Sequence, residues 1–246
     1  MGIEWPAERP RPAAVTPTAG LIAEAIPLLQ KTLTDRERVL GTDHPRTLSS
    51  RDNLAVALNA AGRTVEAIPL LEGNTADFER VLGTSHPDTL LSRHNLAHVY
   101  HAAGRTAEAL PLLEGNTADF ERVLGTSHPH TLASRNILAV AYARAGRIAE
   151  AIPLLEKTLA DRERVLGRDH PSTLSSRNIL AVVYQGAGRI AEAIKLFQEA
   201  LADDERVLGP DHPESRTVRA NLARATAQRP SGDSGRRTGK SRWFQR

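Results

Sequence analysis

Apolar residues recur at three- and four-residue steps in two alternating kinds of stretch along this 246-residue chain. Residues 62–103 read GRTVEAIPLLEGNTADFERVLGTSHPDTLLSRHNLAHVYHAA, and the first stretch carries Val65, Ile68, Leu71, Phe78 and Leu82. That spacing gathers the apolar side chains on one side and predicts a helix over about Thr64–Leu82. Gly83 follows as a C-terminal stop, and Pro87 stands where a first helical residue belongs, with no amide hydrogen to lose. The second stretch runs from Pro87 to about Ala103, with Leu90, Leu96, Val99 and Tyr100 apolar, and Gly104 ends it.

The pair recurs with a fixed beat. His-Pro stands at 44–45, 86–87, 128–129, 170–171 and 212–213, an unbroken spacing of 42. Gly-Arg keeps the same step at 62–63, 104–105, 146–147 and 188–189, and Gly20 extends it backwards. Such a period marks a stack of like units, each too small to bury its own apolar face. The prediction is an all-α, αα-hairpin solenoid of about ten helices. A lone helix spans about 21–40, four helix pairs follow to about 208, and a closing helix covers about 213–228. Residues 1–20 and 229–246 read as disordered segments on either side of the array. Stacks of this kind offer a long concave surface to partners and rarely carry chemistry, so the expectation is a binding protein and not an enzyme.

Two details of the pattern carry predictions of their own. Pro27, Pro69, Pro111 and Pro153 all fall inside an EA(I/L)PLL run, where a helix loses a backbone hydrogen bond. A bent or offset first turn is expected, relieved in the last pair by Lys195. The lone first helix shows Leu21, Ile22, Ile26, Leu29 and Leu33 without a partner helix before it. An uncovered apolar face predicts either a missing unit or self-association through that end.

Composition narrows the picture. Apolar residues make up 40% of the chain but aromatics only 4%, so the core is built from Leu, Ile, Val and Ala. There is no cysteine, which excludes disulfides and thiolate metal sites. No apolar run reaches the ~18 residues of a membrane span, and the N-terminus has no secretory pattern, so a cytoplasmic protein is expected. The net charge of +3 is misleading. Arg229, Arg236, Arg237, Lys240, Arg242 and Arg246 against Asp233 give the tail +5, leaving 3 − 5 = −2 for the rest. The array therefore has no electrostatic footprint for nucleic acid. The basic tail, with Trp243 and Phe244, is the alternative route to a nucleic acid or a membrane surface. Its SGRRTGKS lacks the first glycine of a phosphate-binding loop, since Ser234 stands there.

Leu96, Ala97, Tyr100, Gly104 and Ala109 keep the offsets of the tetratricopeptide signature, and the pattern resembles that family. The 42-residue unit, ERVLGTSHPDTL and EAIPLLE are similar to the longer repeats of kinesin light chains, over about residues 21–228. The resemblance implies a right-handed solenoid of tetratricopeptide repeats that binds a protein or peptide segment, without cofactor or small-molecule substrate. In bacterial proteins it implies a free-standing scaffold or the sensor part of a signalling system. The chain departs from the family where Ala200 sits, placing Thr32, Asn74, Asn116 and Thr158 at equivalent positions. Gly73 and Gly115 beside the asparagines predict the two weakest helices of the array.

The repeats can be compared with one another. Residues 62–103 and 104–145 match at 32 of 42 positions, and the differences gather in the His-Pro-led helix. Positions 91, 94, 98 and 101 lie on one helical face, the inner wall of the solenoid in the family it resembles. That stripe comprises Ser49, Asp52, Val56 and Asn59, then Leu91, His94, His98 and His101. Ala133, Asn136, Val140 and Arg144 follow, and then Ser175, Asn178, Val182 and Gln185. The resemblance implies that Asn136 and Asn178 hydrogen-bond an extended peptide, and Arg144 suits an acidic side chain. His94, His98 and His101 share one face, but no Asp or Glu lies on those turns and HEXXH is absent. Solvated groove histidines, or a pH-sensitive patch, are expected there rather than a metal site. The histidine of each His-Pro is a turn or cap element.

Overall fold

The computed structural model describes residues 19–229. Of the segments expected to be disordered, 1–20 and 229–246, residues 1–18 and 230–246 lie outside the described residues, while Ala19 and Gly20 belong to the first helix. Ten helices follow in order: α1 (Ala19–Leu40), α2 (Pro45–Ala60), α3 (Thr64–Leu82), α4 (Pro87–Ala102), α5 (Thr106–Leu124), α6 (Pro129–Arg144), α7 (Ile148–Leu166), α8 (Pro171–Gly186), α9 (Ile190–Val207) and α10 (Pro213–Ala227). Among the described residues there is no strand. Two compact units meet within α7, between Leu154 and Leu155.

In unit 1, up to Leu154, successive helices pack as antiparallel neighbours from α1 to α6, and α2 also touches α4 as α4 touches α6. Its cores are small-residue seams. Ala55 and Ala67 with Leu54, Leu71 and Leu96 form one, and Ala97, Ala109 and Ala141 with Leu113 and Leu138 another. In unit 2, α8 packs on α9, α9 on α10, and α8 on α10. Phe197 anchors its core among Ala181, Ala193, Ala200, Val218 and Ala225. Fully buried alanines let neighbouring helices approach closely, as the low aromatic content anticipated.

The recurring histidine starts every second helix. His44 has an extended backbone (φ −69°, ψ 134°), and its Nδ1 accepts from the Arg46 amide at 3.1 Å. His86, His128, His170 and His212 repeat the cap at 3.1–3.3 Å. The following proline sits at the first helical position, where its missing N–H costs nothing. The four interior prolines leave their helices unbroken, and all four face solvent.

Helix ends use glycine where no other residue fits. Gly83 has φ 87° and ψ 161°, a region closed to side chains by local sterics. Gly115 is different: it lies inside α5, and a Cβ there would meet nothing within 4 Å. Gly83→Ala is expected to cost about 1–3 kcal/mol, whereas Gly115→Ala gains up to ~1 kcal/mol. Paired chemical denaturation curves check both; a loss at Gly115 would mean that the glycine is needed for approach by something else.

Candidate binding stripe on the His-Pro-led helices

The stripe stands on a frame of repeating ion pairs. Arg51 reaches Glu37 at 3.2 Å and Asp77 at 3.1 Å, and Arg93 reaches Glu79 at 2.7 Å and Asp119 at 3.5 Å. In unit 2, Arg177 reaches Glu163 and Asp203, each at 2.6 Å. Each arginine thus ties its own helix to the helix before it and to the one after it. A second series sets Arg105, Arg147 and Arg189 over the rings of Tyr100, Tyr142 and Tyr184 at 4.2–4.4 Å. The tyrosine hydroxyls donate to Glu72, Glu114 and Glu156 at 2.6–2.9 Å. The sequence signal for both series was plain recurrence: Arg at 51, 93, 135, 177 and 219 with Glu at 37, 79, 121, 163 and 205 for the first, and Tyr at 100, 142 and 184 with Arg at 105, 147 and 189 and Glu at 72, 114 and 156 for the second.

The asparagines that break the family pattern are buried and employed. Asn74 donates to the Leu48 carbonyl at 3.0 Å and to Asp52 at 2.7 Å, and Asn116 donates to the Leu90 carbonyl at 3.0 Å. Thr75 with Ser92 and Thr117 with Ser134 form buried hydroxyl pairs at 3.0 and 2.7 Å. These bonds offset the poor helix propensity of the EGNTADF runs by tying α3 and α5 to their neighbours.

Within unit 1 the stripe divides by depth. Asp52, His101 and Asn136 are buried; Val56, His98 and Arg144 are exposed; Asn59, Leu91, His94 and Val140 lie between. Asp52 is held by neutral donors. Its carboxylate accepts from Asn74, Ser92 and Asn95, at 2.7, 3.0 and 3.4 Å. Burial pushes its pKa up, and those three hydrogen bonds oppose the shift. Arg144 donates to the His101 carbonyl at 3.3 Å. In unit 2, Val182 is exposed, Asn178 and Gln185 are half-buried, Asn178 accepts from Asn221 at 3.2 Å, and Gln185 donates to Gln228 at 2.9 Å. Open apolar surface on the stripe is therefore concentrated at Val56 and Val182, 43% and 44% exposed.

His94 and His101 sit deeper than free groove residues, while His98 stays exposed. His94 is half-buried, and its Nδ1 is buried without a partner, as are both ring nitrogens of His101. The His94 ring lies edge-on to Phe120 at 6.2 Å, and Phe120 stacks on His130 at 6.2 Å. Burial, then His98 and His130, lowers the His94 pKa to about 4. Burial, then Arg144 and His98, does the same to His101. Burial lowers His98 too. Among the described residues no three of His, Asp and Glu converge on a point that could hold a metal ion. No helix among them is long and apolar enough to cross a membrane.

The apolar end of unit 1 differs from its reading in sequence. Ile26 is buried, and Leu29 and Leu33 pack partly buried against the core with it. Leu21 is exposed as expected, and the other exposed large apolar residues of α1 are Leu28, Val39 and Leu40. A shift of one residue along a helix turns a side chain by 100°, so a lone apolar run leaves its buried face open until the neighbour is known.

Comparison with known proteins adds the family. The tetratricopeptide repeat pattern matches residues 18–73, 53–115, 130–205 and 176–229, and a second tetratricopeptide pattern matches 94–164. A solved structure of a putative kinesin light chain from Podosopora anserina, with nearly identical TPR-like repeats, is 38% identical with a TM-score of 0.66. The match covers 76% of this chain and 90% of that one. BtubC (BKLC) from P. vanneervenii shares the fold at 17% identity and a TM-score of 0.63, over 92% of this chain and 98% of that one. A Rap protein complexed with competence and sporulation factor shares it at 13% identity and a TM-score of 0.52, over 85% and 60%. No curated protein sequence matches. With its repeat pattern matched along nearly the whole described length and a relative of this identity, the chain belongs to the tetratricopeptide repeat family, of the kinesin-light-chain-like type.

Proposed function

We propose that this protein is a non-enzymatic scaffold, the sensor or regulatory part of a signalling system, that binds a peptide or protein segment along the stripe of its His-Pro-led helices. One observation carries the reading. Neighbouring repeats keep their packing residues, ion pairs and caps while Leu91, His94, His98 and His101 give way to Ala133, Asn136, Val140 and Ala143, and Ala102 gives way to Arg144. A frame held constant under a changing stripe is what a specified binding surface requires. Exposed Val56, His98 and Val182 supply contact area, and Arg144 supplies a charge for an acidic partner residue.

The test is selection of peptides from a random display library on the wild-type chain, followed by binding to Val56→Glu/His98→Glu and to a chain ending at Arg229. The stripe variant is expected to lose at least tenfold in affinity and the shortened chain to lose none. If affinity instead follows the tail and falls steeply with salt, binding runs through the basic tail, as a nucleic-acid or membrane-surface binder would show.

A further inference from the structure

One buried position changes its chemistry from repeat to repeat, and in unit 2 it leaves a site. A cavity of about 100 Å³ is lined by Ser175 and Asn178 of α8, Asp204 of α9, and Glu214 and Thr217 of α10, with apolar side chains behind. Ser175 and Thr217 are exposed and mark its mouth. Asp204 is 2% exposed, and its Oδ1 has no hydrogen-bond partner. A buried carboxylate oxygen left unpaired is costly, so the site asks for a donor.

The other repeats show what belongs there. At successive 42-residue steps before Asp204 stand Arg162, Phe120, Phe78 and Arg36. Arg36 Nη1 donates to the Arg46 carbonyl at 2.9 Å and to Ser50 Oγ at 2.5 Å. Arg162 Nη1 repeats this with the Ser172 carbonyl at 2.8 Å and Ser176 Oγ at 2.5 Å. One step beyond Ser172 and Ser176 are Glu214 and Val218, and both line the cavity. Aspartate is shorter than arginine or phenylalanine, so the substitution opens the space. It also reverses the chemistry, from a cation that donates to an anion that accepts.

We propose that the cavity takes one cationic side chain, a guanidinium or an alkylammonium, in the place that Arg36 and Arg162 fill from within the chain in other repeats. The space equals about three water volumes, room for such a head group and little more. The cation would face Asp204 Oδ1 and the Glu214 carboxylate, with Asn178, Ser175 and Thr217 around it. The charged groups packed nearby leave that demand open. From α8, Arg177 is engaged by Glu163 and Asp203, Asp203 on α9 is a second acid, and His212 caps α10. Burial first, then Glu214, holds the Asp204 pKa at about 6, against Arg177 and His212. Protonation of Asp204 removes the charge, so affinity for a cation falls as pH drops through about 6.

Two sources share this chemistry: the arginines and Lys240 of the chain's own tail, and a side chain of a bound partner, the second resting on the stripe reading above. The experiment is a titration of the isotope-labelled protein with N-acetyl-arginine amide and with the neutral isostere N-acetyl-citrulline amide, followed by backbone NMR. It is run on the full chain and on a chain ending at Arg229. The arginine probe is expected to shift Ser175, Asn178, Asp204 and Thr217 saturably, at least tenfold more tightly than citrulline and at least tenfold more tightly at pH 7.5 than at pH 5. Asp204→Asn should lose at least tenfold. Asp204→Arg supplies the cation within the chain, so it should abolish the response while raising Tm by about 5 °C, which separates lost binding from lost folding. Tighter binding to the shortened chain identifies the tail as the resident cation, and equal binding identifies a partner side chain. No saturable shift in either chain, or equal shifts with citrulline, overturns the proposal. The probe does not touch Val56 or His98, so Val56→Glu/His98→Glu should leave its binding unchanged, and failure of the stripe reading stays distinguishable from failure here.

Discussion

Replacing Arg177 by methionine is expected to destabilise unit 2 by about 3–5 kcal/mol. The guanidinium is 1% exposed and joins Glu163 before it to Asp203 after it. Methionine retains much of the apolar stem but takes the buried cation from Glu163 and leaves Asp203 only its pairs with the exposed Arg206 and Arg168. The cost comes chiefly from those stranded charges. Adding Glu163→Gln and Asp203→Asn to the methionine variant should therefore recover most of the loss. Denaturation followed by circular dichroism, with amide exchange in α8 as a local reading, measures both. A single-variant loss below about 0.5 kcal/mol would place the pair among weak surface bridges and remove the frame from the account.

The second large effect is a loss of stability in mild acid carried by the histidines of the stripe. His94 and His101 have folded pKa values of about 4, well below the ordinary 6.5. As pH falls the unfolded chain binds protons first, so the contribution is fully present above about pH 6.5 and is lost progressively down to about pH 4. Two histidines, each displaced by 6.5 − 4 = 2.5, carry at most about 3 kcal/mol apiece. Asp52 and Asp204, held high by burial, act in the opposite sense, so the comparison must be made within one chain. His94→Asn/His98→Val/His101→Ala installs the residues found one repeat on, Asn136, Val140 and Ala143. The variant should lose about 5 kcal/mol less than wild type between pH 7 and pH 4.5. Equal losses would show that these rings accept protons in the fold, as solvated groove residues would.

Local signals were legible because each is complete within a few residues. Gly83 ends a helix by its own backbone angles, Pro87 opens one, and His86 caps it with its own ring. The elements and their order could therefore be read directly. Contacts between helices were not legible in the same way. Asp52 reads as a groove residue until Asn74 and Ser92, 22 and 40 residues away, are seen to hold it. Asn74 reads as a helix breaker until its amide is found on the Leu48 carbonyl. The stripe histidines share a face by spacing, but only the packing of Phe120 and Arg144 around them fixes how they titrate. Asp204 is the sharpest case. Its sequence neighbours, LADDERV, give no sign of a buried orphan, whereas the series Arg, Phe, Phe, Arg, Asp at that position does.

The frame of caps, glycine stops and arginine pairs belongs to folding, and we propose that the stripe that changes from repeat to repeat belongs to binding. The most direct test is hydrogen–deuterium exchange of the chain with and without a saturating peptide taken from the display selection. Added protection is expected in α2, α4, α6 and α8, around Val56, His98, Arg144 and Val182. Protection confined to the Gly-Arg-led helices or to residues 230–246 would contradict the assignment.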